Sequence, residues 1–122
     1  LYNHFRDKDS VLLALCESEL ARLVEIAQNA PDATSALEQI SLQVSSDPAL
    51  AAMRVQDPDQ LALALTKHDD HLWKAFAIAL THLLGEGKSA LALRWLLGQA
   101  LHPINAQQSR AQAEAITGIA NL

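Results

Sequence analysis

The sequence predicts an all-α protein, a bundle of six or seven helices with no credible strand and no internal repeat. Three observations carry that reading. Alanine and leucine contribute 22 residues each, whereas valine and isoleucine together give 10; alanine and straight-chain residues lose less freedom in a helix than β-branched ones do. Glycine and proline total only 8, too few for the frequent turns of a β-sandwich or barrel. The apolar residues recur three or four positions apart, the period of one helix face. A chain of 122 residues and 13.2 kDa supports one domain around one core.

The elements follow in order. Asp9 or Ser10 is placed to cap a helix that runs to about Asn29, with an apolar stripe of Leu12, Leu13, Cys16, Leu20, Leu23, Val24 and Ala27 and with Glu17, Glu19, Arg22 and Glu25 off it. Such an amphipathic helix has roughly 20 residues and a length of about 30 Å. Ala30-Pro31-Asp32 ends it and caps a second helix over 33–45, striped by Leu37, Ile40 and Val44. Ser46-Asp47-Pro48 opens a short third helix to about Arg54, with proline in its first turn. After Asp57-Pro58-Asp59, the stretch 61–84 is an almost unbroken helical pattern with room for a bend at the polar cluster 67–70; Gly85-Glu86-Gly87 breaks it. The next segment, 89–101, is apolar nearly all round, interrupted only by Arg94 and Gln99. A helix apolar on every face needs cover on every face, which implies a partner chain. Pro103 stops it, and Asn105 caps a last helix over 106–121, with Ala113, Ile116 and Ala120 on one strip of small residues.

Composition excludes several classes. With 50% apolar and 19% charged residues, the chain is neither disordered nor a nucleic-acid-coating polypeptide. A net charge of −5 disfavours a free-standing phosphate-binding module. Cys16 is the only cysteine, so no disulfide closes within the chain and no multi-cysteine zinc site exists. This suits a reducing compartment, and a cytoplasmic location with no membrane partner is expected. The chain begins at Leu1 and reads as a fragment or a processed form.

The opening residues, Leu1-Tyr2-Asn3-His4-Phe5-Arg6-Asp7-Lys8-Asp9-Ser10-Val11-Leu12, carry chemistry of their own. Tyr2 has an apolar ring and a polar tip, able to pack on one side and reach a phosphate on the other. Lys8 stands at the expected start of a helix, where amide N–H groups and the dipole already favour an anion. Phe5 is a candidate anchor between the turn and the long helix. The plainer reading makes Tyr2 and Phe5 packing residues and Lys8 a solvated charge. For His4, a backbone contact and a turn-closing role weigh equally.

This segment resembles the junction between the recognition helix and the long fourth helix in the tetracycline-repressor (TetR) family of transcription regulators, where Leu-Tyr-x-His-Phe is followed by a short turn and a lysine. Tyr2, His4, Phe5, Lys8 and Leu12 match in type and spacing, five matches over about a tenth of the chain. The resemblance implies that 1–8 is the remnant of a recognition helix and turn, that 9–122 is an effector-binding and dimerisation domain, and that the base-reading residues lie ahead of Leu1. It further implies phosphate contact for Tyr2, His4 and Lys8 in the intact protein only. The last two helices would form a four-helix dimer interface through Leu91, Trp95, Gly98, Ala113, Ile116 and Ala120, with Leu93, Leu96, Leu97 and Leu101 serving the protomer's own core.

Trp73 and Phe76 are two of five aromatic residues and sit in an otherwise aliphatic helix. Core packing explains each alone; the pair also suits the wall of a pocket, which the resemblance implies. Leu20, Ile40, Val44, Met53, Leu61 and Leu65 complete a candidate effector-binding lining. The segment 31–87 carries three basic and eight acidic residues, a balance that fits a neutral or cationic ligand and that surface acidity explains equally well. His68-Asp69-Asp70-His71 has metal-ligand spacing, but the carboxylates read as hinge residues and no metal or other cofactor is expected. No Gly-rich phosphate loop, Gly-x-Ser-x-Gly elbow or His-Glu-x-x-His motif occurs. The expected protein is therefore the regulatory domain of a TetR-like regulator, not an enzyme: a homodimeric repressor released by a small apolar or amphipathic effector. The alternatives are an all-α enzyme with an apolar pocket and a helical adaptor.

Overall fold

The computed structural model describes residues 2–66 and 71–118, and the side chains among them except those of 2–13, 15, 16 and 72. Seven helices run through these residues: α1 (Tyr2–Asn29), α2 (Ala33–Ser46), α3 (Pro48–Gln56), α4 (Pro58–Leu65), α5 (His71–Leu84), α6 (Glu86–Leu101) and α7 (Ala106–Gly118). No strand occurs among the described residues.

The helix starts follow from local chemistry. Asp32 Oδ1 accepts from Ser35 N at 2.8 Å, and this bond holds the Asp32 carboxyl below its usual range. Asp47 and Asp57 repeat the device ahead of Pro48 and Pro58, accepting from Ala49 N at 2.8 Å and Gln60 N at 3.3 Å. A proline in the first turn loses nothing, because its missing N–H would have had no partner there. Asn105 and Gln108 form a reciprocal capping box: Asn105 Oδ1 accepts from Gln108 N at 2.8 Å, and Gln108 Oε1 from Asn105 N at 3.0 Å. Gly85 joins α5 to α6 with φ of 87°, a conformation open to glycine at no steric cost.

Two expectations about helix limits are corrected. α1 is continuous from Tyr2, so the turn expected between Phe5 and Asp9, and the cap at Asp9 or Ser10, do not form. Residues 2–29 contain neither glycine nor proline, and the first break signal is Ala30-Pro31. The helical pattern over 61–84 is not one helix. α4 closes at Leu65, where Thr66 donates its N–H and its hydroxyl to Leu63 O at 3.2 and 2.8 Å; the bend expected at 67–70 lies outside the described residues.

α1 packs on α5 and α2, α5 on α6, and α2 on α6 and α7, while α3 and α4 pair beside this bundle. The core reads as helical stripes: Leu20, Leu23 and Ala27 on α1; Leu37, Ile40 and Val44 on α2; Phe76, Ala79 and Leu80 on α5; Ala92, Leu96 and Ala100 on α6; Ala113 and Ile116 on α7. Alanines at 79, 92, 100 and 113 keep side-chain bulk low at the crossings, so the backbones approach closely. Arg54 Nη1 donates to Ala100 O at 2.6 Å and ties α3 to the last turn of α6, where a cation offsets the exposed carbonyls.

A buried polar node fixes how α2, α6 and α7 meet. Gln99 Oε1 accepts from Ser41 Oγ at 2.6 Å and from Ser45 Oγ at 2.8 Å. With the Ser41 proton committed to Gln99, Ser109 Oγ donates to Ser41 Oγ across 2.7 Å. Ser45 Oγ also accepts from Ile104 N at 3.1 Å, which fastens the loop before α7. Gln99 Nε2 is buried without a partner among the described residues, a cost of about 1–3 kcal/mol that the node's other bonds offset.

Candidate functional site: an apolar cavity with one carboxylate in its wall

The stripes of α1, α5 and α6 do not fill the space between them completely. A partly open cavity of about 80 Å³ lies beside Phe76. α1 supplies Glu19, Leu20 and Leu23; α2 supplies Val44; α3 supplies Leu50; α4 supplies Leu61, Ala64 and Leu65. Trp73 and Phe76 of α5 and Leu93, Leu96, Leu97 and Ala100 of α6 complete the wall. Six of the eight candidate effector-binding residues thus meet at one cavity. Ile40 and Met53 are buried but do not line it.

Sequence reasoning missed Leu23, Leu50, Ala64, the α6 residues and Glu19. The all-round apolar pattern of α6 gave no sign of which face met the cavity. Glu19 lay off the apolar stripe of its helix and read as solvated, although it adjoins Leu20 and precedes Leu23 by about one turn.

Glu19 is the one charged residue in the wall. Its Oε1 is buried and has no hydrogen-bond partner. Burial first, and then the like charge and hydrogen bonding of Asp47, push its carboxyl up to about 7; Arg22 and Gln43 act weakly in the other direction. Asp47 is itself buried, and among the described residues neither carboxylate has an ion-pair partner. Arg54, the cation of α3, is engaged by Ala100 O.

The cavity is well below the roughly 300–1,000 Å³ of a drug-sized site. It is also smaller than the ~150 Å³ hole that admits a benzene ring. As it stands it takes an alkyl chain of a few carbons, and a larger guest requires α4 and α5 to move.

The other candidate residues distribute as follows. Leu91 is 47% exposed on the outer face of α6, beside exposed Gly98, where an added Cβ would meet open space. Trp95 is half-buried, and its Nε1 donates to Gln112 Oε1 at 2.6 Å, a tie between α6 and α7 within the protomer. Ala113 and Ile116, expected to face a partner, are buried in the protomer core because α7 packs against α2. Leu101, expected in that core, is 42% exposed. Ala120 and His68 lie outside the described residues, as do the side chains of Tyr2, His4 and Lys8. No group of three or more His, Cys, Asp or Glu able to hold a metal ion assembles among the described residues, and no helix among them is long and apolar enough to cross a membrane. The chain matches no family model, no curated protein and no solved structure.

Proposed function

We propose that the chain is the ligand-binding and dimerisation domain of a TetR-like transcriptional regulator, a repressor that a small apolar or amphipathic effector releases from its operator. The observation that carries the reading is the apolar cavity against α1, because the same helix carries the Tyr2-His4-Phe5-Lys8 motif at its opposite end. A guest between α1, α4 and α5 bears on α1 as a lever, and the continuous helix transmits the displacement toward the DNA-reading head. The effector acts only through its preference for the non-DNA arrangement; a differential of about 1–3 kcal/mol changes operator affinity roughly 5–150-fold.

Dimerisation rests on the outer face of α6. Leu91 and Leu101 are exposed there, and Gly98 between them offers close approach to a second helix. Leu91→Asp is the sharper variant, since Trp95 is engaged by Gln112 within the protomer.

Two measurements test the proposal together. Light scattering is expected to give a dimer for the unmodified chain and a monomer for Leu91→Asp. A thermal-shift screen of short aliphatic and aryl compounds is expected to give stabilisation, with the compounds recovered unchanged. A monodisperse monomer with no stabilising compound contradicts the reading, and chemical conversion of a bound compound replaces it with the enzyme alternative.

A further inference from the structure

We infer that the occupant of the cavity is a protonated aliphatic amine, its short hydrocarbon tail among Leu20, Leu61, Trp73 and Phe76 and its ammonium group on the carboxylate of Glu19. This rests on the reading of the cavity as a ligand site and adds the chemical class of the ligand.

The wall is hydrocarbon except for one carboxylate. A purely apolar guest would leave that carboxylate facing it, with Oε1 still buried and unpartnered, and a buried acceptor without a donor is costly. An anionic guest would add a third negative charge beside Glu19 and Asp47. A neutral alcohol supplies one donor but no charge. An alkylammonium supplies three N–H donors and a positive charge, and like a lysine side chain it keeps its proton to about pH 10. It thereby supplies the ion-pair partner that neither Glu19 nor Asp47 has among the described residues. The cavity volume of about 80 Å³ limits the tail to a few carbons inside the wall, and the open side lets the headgroup keep part of its water. The raised titration of Glu19 has the same origin, burial beside a like charge, and a cation at Oε1 opposes it.

The test is calorimetric titration at about pH 8 with butylammonium, 1-butanol and butanoate, on the parent chain and on Glu19→Gln. Glutamine keeps the shape of the side chain and removes its charge, so the variant is expected to fold, as its unfolding curve verifies. Butylammonium is expected to bind the parent about tenfold more tightly than butanol, and butanoate most weakly. In Glu19→Gln the amine and the alcohol are expected to come within about twofold of each other. If butanol binds the parent as well as the amine does, or if the amine preference survives Glu19→Gln, the inference is overturned while the cavity remains a ligand site. If none of the three binds the parent, the ligand-site reading fails with it.

Discussion

The interior has two unlike halves. Around Gln99, four side chains from three helices hold one another at 2.6 to 2.8 Å. Around Phe76 the surfaces are apolar, space is left over, and Oε1 of the single charged group, Glu19, is buried without a hydrogen-bond partner among the described residues. Hydrogen bonds are directional and costly to leave half made, so the Gln99 side specifies one arrangement of α2, α6 and α7. Hydrocarbon contacts are non-directional and tolerate repacking, so the arrangement of α1, α4 and α5 around the cavity is the part of the molecule that a ligand can reset. Specification and responsiveness are thus placed on neighbouring faces of α6, with Gln99 on one and Leu93, Leu96, Leu97 and Ala100 on the other.

Four substitutions break or sharpen that contrast. The largest effect belongs to Phe76→Ala. The ring is 1% exposed, so its removal enlarges the cavity and is expected to cost about 3–5 kcal/mol in urea unfolding; a loss under about 1 kcal/mol would show that the ring does not bridge α1 and α5. Next comes Ser41→Ala on the polar side. It leaves Gln99 one donor short and Ser109 without its acceptor, with an expected cost of about 1–3 kcal/mol.

Glu19→Gln is expected to stabilise the protein at alkaline pH. In the folded state the Glu19 carboxyl titrates at about 7, against 4.5 for an unperturbed glutamate. Between those values the folded state holds the proton more firmly than the unfolded one. Stability therefore falls as pH rises from about 4.5 to about 7, and the full loss persists above. At full strength the rise would be worth about 3 kcal/mol; solvent screening of this half-buried group reduces it to about 1 kcal/mol. The variant is thus expected to match the parent near pH 4 and to exceed it by about 1 kcal/mol at pH 8. Parallel stability curves across that range would show that neither burial nor Asp47 raises the Glu19 carboxyl. The smallest effect is that of Ala64→Leu, which fills existing space and is expected to change stability by less than about 1 kcal/mol. Were Ala64→Leu more damaging than Ser41→Ala, the two halves would have been assigned the wrong way round.

Much of the fold was legible in the sequence because its punctuation is chemical. Asp47-Pro48, Asp57-Pro58, Gly85 and Asn105 each act at a helix boundary through a cap, a fixed φ or a positive φ. The N-terminal turn was misplaced because Asp9 and Ser10 are cap-type residues and the family pattern agreed with them, whereas a helix stops at a breaker residue and 2–29 holds none. Six cavity residues were found because aromatic and branched side chains on facing stripes converge. Gln99 was visible as an interruption of an apolar helix, but its partners Ser41 and Ser45 sit on α2, Ser109 of α7 joins only through Ser41, and nothing in the sequence pairs these helices. Ala113 and Ile116 were assigned to a partner because one small-residue strip fits either neighbour; only tertiary packing reveals that α2 takes it.

The central claim, that the cavity beside α1 is a binding site, is tested most directly by the emission of Trp73 in a Trp95→Phe chain, where it is the sole tryptophan. Titration with 1-butanol and with butylammonium is expected to produce a saturable change in that emission, and Ala64→Leu in the same background is expected to abolish it by occupying the space. Emission that drifts linearly with added compound, or saturates equally in the Ala64→Leu chain, would contradict the account.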